Sequence, residues 1–356
     1  MRSAPVSIEA LAEAVTASVP TPLQVSGHGT KRALASDDVG VHHLDLRDLT
    51  GLSAYDPAEC VVTVRAGTRV AQVVETLAAH GQYLPWDPPL VNDGASIGGM
   101  VASGLSGPGR LRYGGVRDFI IGATVVDGRG RRITSGGQVV KNAAGFLLHH
   151  ALVGSAGRLA VIAEVSLKVF PHALASCTLV APAPSRDALL AAHERVRLAA
   201  LDLDALDLDL GGSRLLARLT GTRSALPKRV ARAADRIGLA AQTLVDDDER
   251  ALWQQHANAL WHDGARVVKV PATPSRLPAL LDRLAPFGAL QVSVAGAVVY
   301  LTTQAPLDDL DAALQASATA AAVVRGDGHG RRLGLQVGAP FLGRVRATLD
   351  PDDRLR

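Results

Sequence analysis

Gly94-Ala95-Ser96-Ile97-Gly98-Gly99-Met100-Val101-Ala102-Ser103-Gly104 is almost free of bulky groups and reads as a loop entering a short helix. So bare a backbone lets its N–H groups come close to a large anion, and Ser96 can cap the helix and present its positive end to phosphate. The same bareness would also serve a close helix–strand contact. A second bare loop, Ser26-Gly27-His28-Gly29-Thr30-Lys31, follows a strand pattern at Leu23 to Ser26 and adds Lys31 as a counter-charge. Two such loops suit the two negative charges of a dinucleotide diphosphate.

Working outward, Ser7 is placed to cap an N-terminal helix. Cys60 to Arg65 reads as a strand ending at Ala66-Gly67. Thr68 is then expected to cap a helix whose apolar residues Val70, Val73, Val74 and Leu77 recur at helical spacing, with Gly81 as its stop. Asp127-Gly128-Arg129-Gly130 joins strand patterns at Phe119 to Val126 and Arg132 to Thr134 as an antiparallel turn. Gly154 and Gly157 precede a strand from Leu159 to Val169, and Pro171 closes the region.

From His172 the glycine clusters stop and Ala, Leu, Arg and Asp take over. This shift divides the chain into residues 1–171, residues 172–330 and a tail, 331–356, that could return to the first unit. The second unit alternates strands (Cys177 to Ala181, Leu215 to Leu219, Val267 to Val270, Leu290 to Thr302) with amphipathic helices (Arg186 to Ala199, Pro227 to Ile237, Arg276 to Leu284, Leu307 to Ala318). That order predicts an α+β cap of two similar halves. Asp246-Asp247-Asp248-Glu249 reads as a solvated helix start.

Composition narrows the function classes. With 47% hydrophobic and 20% charged residues the chain is globular, and no apolar run is long enough to span a bilayer. Glu9 and Glu13 interrupt any secretory leader, so the cytoplasm is expected, with membrane contact only through partners at its inner face. The net charge of +3 is scattered and aromatics are 3%, which argues against a nucleic-acid surface. Cys60 and Cys177 are too far apart to suggest a disulfide framework, metal site or iron–sulfur site. The adjacent pairs His42-His43 and His149-His150 point in different directions and make no chelate.

A resemblance now becomes specific. The segments Val25-Ser26-Gly27-His28-Gly29-Thr30-Lys31, Gly94-Ala95-Ser96-Ile97-Gly98-Gly99, Arg112-Tyr113-Gly114 with Arg117-Asp118, and Gly154-Ser155-Ala156-Gly157 with Glu164-Val165-Ser166-Leu167-Lys168 stand in the order of the vanillyl-alcohol-oxidase-type (PCMH-type) FAD domain. Within that superfamily, Leu105-Ser106-Gly107-Pro108, the Asp127-Gly128 turn and Ser135-Gly136-Gly137-Gln138-Val139-Val140-Lys141-Asn142-Ala143-Ala144-Gly145 are most similar to the FAD-binding subunit of glycolate oxidase. The match covers Leu23 to Pro171, less than half of the chain. The ending Leu349 to Arg356 also resembles the family's, without its usual Pro-Gly-Arg.

The resemblance implies an α+β fold of two lobes clasping FAD under a C-terminal, ferredoxin-like cap. It carries the diphosphate contacts to Ser26, Gly27, His28, Gly29, Thr30, Lys31, Gly94, Ala95, Ser96, Gly98 and Gly99. Gly154, Gly157 and Ile162 would lie along the adenosine half or beside the ring, and Tyr113 and Gly114 would line the cleft. Lys141 could stabilise the reduced ring and is the one catalytic candidate; its bland reading is a surface lysine. Arg117 and Asp118 are equally an ion pair.

The FAD is expected to be noncovalent, because superfamily members that attach flavin through this loop have their histidine one position after His28. The resemblance further implies hydride transfer from a small 2-hydroxy acid such as glycolate, in a complex with a second FAD-binding subunit and an iron–sulfur subunit. A stand-alone dehydrogenase is one alternative. Another is a structural subunit that has lost flavin, since Phe146-Leu147 and His149-His150 replace the family's usual residues. Arg325-Gly326-Asp327-Gly328-His329-Gly330 reads as a turn and no metal is expected.

Overall fold

The computed structural model describes residues 1–36, 38–137, 147–261, 264, 266–336 and 338–356, with the side chains of residues 339 and 341 left aside. Lys141 therefore lies outside the described residues, as does most of the glycolate-oxidase-like run after Gly137.

Two main sheets form the N-terminal unit, beside a short antiparallel pair of Gln82–Tyr83 with Phe170–Pro171. The smaller is parallel, Arg2–Ser3, His42–Asp45 and Leu23–Ser26 in spatial order; the larger is antiparallel, in the order Leu52–Asp56, Val61–Arg65, Val161–Lys168, Ile120–Val126, Arg132–Gly136. Helix Ile8–Ala17 starts where the Ser7 hydroxyl accepts the Ala10 N–H at 3.1 Å, and it buries Leu11 and Val15. Helix Val70–Ala78 buries Val70, Val73 and Leu77, and Gly81 ends that region at φ +67°. Its cap is Arg69; the Thr68 hydroxyl is taken instead by the N–H of Gly51 at 2.9 Å, a bond across 17 residues that local sequence could not foretell.

The C-terminal unit is one nine-stranded antiparallel sheet, in the order Gln242–Val245, Ala175–Pro182, Arg214–Gly221, Ala205–Asp209, Gly288–Ser293, Val298–Thr303, Arg266–Pro271, Ala320–Arg325, Arg332–Gly334. Residues 175–245 and 266–325 each run strand, helix, strand, strand, helix, strand, which is the ferredoxin-like pattern twice over. The halves meet where Leu208 pairs with Val292. Ala205–Asp209, whose two aspartates had hidden a strand, is thus central, and the expected strand Leu290 to Thr302 is two strands joined at Val294–Gly296.

Alternation sets the two faces of this sheet apart. Leu206, Leu208, Leu215, Ala217, Val268, Val292, Val299 and Leu301 share a core with helices Arg186–Leu198, Leu226–Ile237, Leu277–Leu284 and Leu307–Ala316. The opposite face turns toward the N-terminal unit, and Trp261, Tyr300 and Val324 join that unit's core. Helix Asp246–Trp261 packs on this second face, Leu252 meeting Val180 and Leu216. The expectation for Asp246 to Glu249 holds for the three aspartates, which are exposed. Glu249 is buried and accepts from the Ser176 and Thr178 hydroxyls.

Polar links join the two units at residues 87–113: Arg218 with Asp87, Arg325 with Asp93, Arg112 with Asp202, and the Tyr113 hydroxyl with Asp204. Among the described residues no helix is long and apolar enough to cross a membrane.

Residues Asp350 to Arg356 follow helix Ala339–Leu349 and reach the first unit. Leu23 donates to the Arg354 carbonyl at 2.6 Å and Arg356 donates to that of Leu23 at 3.0 Å. The Arg354 side chain, 2% exposed, gives hydrogen bonds to the carbonyls of Val15, Thr21 and Gly128 and to the Ser18 hydroxyl. Replacing it by methionine orphans these acceptors, so Arg354→Met should lose about 2–4 kcal/mol of stability, read from urea denaturation. A loss under about 0.5 kcal/mol, the level of an ordinary surface change, would deny it this bracing role.

Candidate FAD site

Strand Leu23–Ser26 delivers the loop Gly27 to Lys31 to the edge of a cavity of roughly 540 Å³. The Ser26 carbonyl accepts from Leu46, but the N–H groups of Gly27, His28, Gly29, Thr30 and Lys31 donate to nothing among the described residues. Five consecutive donors without a partner among those residues border the cavity, a set that can meet an anion. Lys31, Arg32, Arg2 and His28 lie along the same wall, and no carboxylate lines it among the described residues.

Two side chains sharpen the chemistry. The Nε2 of His28 accepts from Arg69 Nε at 3.2 Å, so in the neutral ring Nδ1 carries the proton, and that buried nitrogen has no acceptor among the described residues. Burial first, and then Arg69, lowers the His28 pKa and keeps the ring neutral. Lys31 is pulled down to about 8, mainly by burial and against the attraction of Asp93. An oxygen-rich anion would satisfy both groups.

The second bare loop behaves differently from its first reading. The N–H groups of Gly94, Ala95, Ile97 and Gly98 already serve the carbonyls of Val91, Leu90, Thr68 and Ala66. Gly98 is glycine because a Cβ there would stand 2.8 Å from the Cβ of Ala66, a close helix–strand contact. Backbone donation to phosphate, expected of Gly94, Ala95 and Gly98, is thus taken up by the protein itself. Ser96 and Gly99 do reach the cavity wall, and Ser96 caps Ile97–Ser103, its hydroxyl 3.4 Å from the Gly99 nitrogen.

Gly157 and Ile162 line a hollow of roughly 80 Å³ together with Gly27, Ser96, Gly98 and Gly99. Gly154 lies in a further cavity of roughly 280 Å³, shared with Arg158 and Lys269. Ala156 borders all three spaces, so they lie side by side, and the roughly 540 Å³ cavity by itself is within the roughly 300–1,000 Å³ of cofactor and ligand sites. Tyr113 is elsewhere, in the cleft beside Asp204, and Gly114 packs on the Asp118 carboxylate. Asp118 accepts the Gly115 N–H, and no ion pair joins it to Arg117 among the described residues.

Composition and motifs also missed a row of polar residues on the cap. Arg218, Asp207, Gln291, Ser293 and Tyr300 all line an interdomain cavity of roughly 380 Å³. Along one cross-strand row Gln291 pairs with Tyr300, and Tyr300 with Lys269. Among the signals that could have found them is the alternation of single polar residues with leucine and valine in these strands.

The two kinds of glycine give a paired prediction. Gly98→Ala should destabilise the fold by about 1–3 kcal/mol through the Ala66 contact. Gly99→Ala, whose Cβ would meet the Ser96 hydroxyl at 3.1 Å and the Lys31 side chain at 3.9 Å, should keep its urea midpoint and lose flavin. Urea curves and flavin-to-protein ratios measured together check both; the reverse pattern would overturn the assignment.

Comparisons with known proteins agree with this geometry. Residues 3–136 match the family described as FAD binding domain. The chain is 43% identical over 159 residues to the glycolate oxidase subunit GlcE of Escherichia coli, covering 45% of each protein. It is 31% identical over 170 residues to a D-lactate dehydrogenase of Archaeoglobus fulgidus, covering 48% of this chain and 38% of that one. The chain thus spans less than half the length of these curated relatives. Over 99% of its length its fold matches an alkyldihydroxyacetonephosphate synthase, with a TM-score of 0.73, 15% identity and 75% of that chain covered. A glucooligosaccharide oxidase of Acremonium strictum matches at a TM-score of 0.69 and 14% identity, again over 99% of this chain and 88% of the other. By the sequence of residues 3–136 and by its architecture, the N-terminal unit is a PCMH-type FAD binding domain.

Proposed function

We propose that this chain is the FAD-binding redox subunit of a glycolate oxidase-type complex. The observation that carries the reading is the row of five unused N–H groups from Gly27 to Lys31, facing a cavity rimmed by cations. In this reading those residues, with Ser26, Ser96 and Gly99, hold the diphosphate without a covalent link. Gly154, Gly157 and Ile162 border the rest of the nucleotide. Residues 1–171 bind the cofactor and 172–330 cover it; of the expected tail 331–356, Arg332–Gly334 instead completes the cap sheet, where it pairs with Ala320–Ala322, and residues 354–356 brace the first unit. Bound FAD would supply the hydride acceptor for oxidation of a carbon bearing a hydroxyl group.

The chain's own residues have three tasks. The loop N–H groups and the Nδ1 proton of His28 meet the phosphate oxygens, Lys31 compensates their charge, and the cap shields the region from water. A second flavoprotein and an iron–sulfur subunit are assigned as partners, since the chain has two distant cysteines and no grouping of metal ligands among its described residues. The names of the relatives, which include the GlcD subunit of Bacillus subtilis, support a multisubunit complex and a small hydroxy acid substrate.

Acid precipitation of the purified chain should release FAD, identified by mass. Recovery of FMN alone, or a folded protein that cannot take up FAD, would reject the reading. Glycolate-dependent dye reduction should be slow for the isolated chain and rise on reconstitution with the two partners at matched flavin; equal rates would favour a stand-alone dehydrogenase.

Lys31 adds a pH dependence. A lysine loses its charge as pH rises through its pKa, here about 8 in the free protein, and a bound diphosphate raises that pKa. Affinity for FAD should therefore be level below pH 7 and fall above pH 8 by up to about tenfold per unit. In Lys31→Met it should be weaker at pH 7 and nearly flat to pH 9. Flavin-fluorescence titration of the apoprotein checks this, and a wild-type affinity independent of pH over that range would remove Lys31 from the site.

A further inference from the structure

The interdomain cavity of roughly 380 Å³ lies between the proline-rich stretch at Leu84 to Asp93 and helix Asp246–Trp261. On its cap side Asp207 is fully buried, and both its oxygens are engaged. Oδ1 accepts from the Ser293 hydroxyl at 2.8 Å and the Val294 N–H at 3.1 Å, and Oδ2 lies 3.1 Å from His256 Nε2. The Gln291 side-chain amide also reaches Nε2, at 2.8 Å, and with its oxygen turned to the ring it accepts the same proton as Asp207. A carboxylate so placed holds the imidazole proton on Nε2 and leaves the Nδ1 lone pair as an acceptor. Nδ1 has no hydrogen-bond partner among the described residues.

Two more groups in this wall have hydrogen-bonding capacity to spare. Arg218 gives one N–H of its guanidinium to Asp87, and the others meet no acceptor among the described residues. The Ser106 hydroxyl is buried without a partner among them. Arg218 and His256 both pack against the Trp253 indole, the guanidinium carbon 5.1 Å from its ring centre and the imidazole centre 5.6 Å from it. Most of the remaining wall is apolar, with Pro88, Pro89, Val91, Leu260 and Trp261. Asn92, Asp93, Gln254 and Asn258 also border it.

We infer that this cavity takes a 2-hydroxy carboxylic acid with a branched apolar side chain, its carboxylate on Arg218 and its hydroxyl on Nδ1 of His256. The choice of a hydroxy acid rests on the redox reading above; the size and the two contacts rest on the cavity. Glycolate, which carries hydrogen where such an acid carries its side chain, leaves the apolar wall uncovered. Burying a four-carbon branched group there is worth about tenfold or more in affinity.

The test is calorimetric titration of the full purified chain, its flavin kept reduced so that no acid is consumed. The probes are glycolate, 2-hydroxy-4-methylpentanoate and 4-methylpentanoate. The branched hydroxy acid should bind at least tenfold more tightly than glycolate. In His256→Gln the amide nitrogen can keep the bond to Asp207 while Nδ1 is lost. This variant should bind the hydroxy acid about tenfold more weakly and 4-methylpentanoate unchanged, at unaltered flavin content.

Ala257→Trp, from an exposed position on the cavity wall, should erase the preference for the branched acid and supplies the answer if His256→Gln does not fold. Glycolate binding as tightly as the branched acid, or a His256→Gln protein with wild-type affinity for the hydroxy acid, would overturn the inference. Should the chain purify without flavin, the same titrations decide the cavity's ligand, so failure of the redox reading and failure of this one remain separate results.

Discussion

The hydrogen bond from the Leu46 N–H to the Ser26 carbonyl, 2.8 Å long, is the last rung of a parallel pairing that runs from Leu23 to Ser26. Beyond it the chain leaves the sheet and its next five N–H groups have no acceptor among the described residues. What aims them is the rigidity of the strand before them. It is held by His42–Asp45 along its length and by the backbone of residues 354–356 at Leu23. Asp45 tightens the same corner by accepting from Arg47 and Arg2, which drive its carboxyl far below the usual range. A strand that slipped by one residue would turn the loop's donors away from the cavity.

Local signals made much of the fold legible. Ser7, Gly81 and the Asp127-Gly128 turn mark element ends through chemistry that acts over two to four residues, and the repeated strand–helix order foretold a cap of two similar halves. What escaped depends on distance. Thr68 reads as a cap until Gly51 is known to lie beside it, and Glu249 reads as solvated until Ser176 and Thr178 are brought to it from another strand. The same limit applies to the two glycine loops. In sequence they look equivalent; in space one is a set of idle donors and the other is mostly a packing device whose donors are occupied, a distinction that rests on Ala66 and Thr68, some thirty residues earlier.

His256 shows the limit most plainly. A single histidine on a helix carries no signal, and its partner Asp207 stands 49 positions away in a strand whose acidic residues obscure its place in the sheet. The half of the cap sheet that faces helices is conventional, leucine and valine against leucine. The other half keeps Arg218, Asp207, Gln291, Tyr300 and Lys269 under cover, and burial lowers the Lys269 pKa to about 8, with Arg110 adding to the shift. Buried polar groups are costly to a fold unless they are matched by partners or by a ligand. Their presence on this one face is the physical mark of a surface kept for chemistry.

The links between the two units have a bearing on how the molecule would be handled. Arg218 with Asp87, Arg325 with Asp93 and Arg112 with Asp202 are all ion pairs, all lie along one side of the cleft, and all retain some contact with solvent. Mobile ions weaken such pairs over distances of about 8–10 Å at ordinary ionic strength, while the apolar contacts of Trp261 and Val324 are indifferent to them or gain. Dilute buffer therefore clamps that side of the cleft, and concentrated salt lets it breathe about the apolar contacts. Preparations made in different salts thus hold that side of the cleft closed to different degrees.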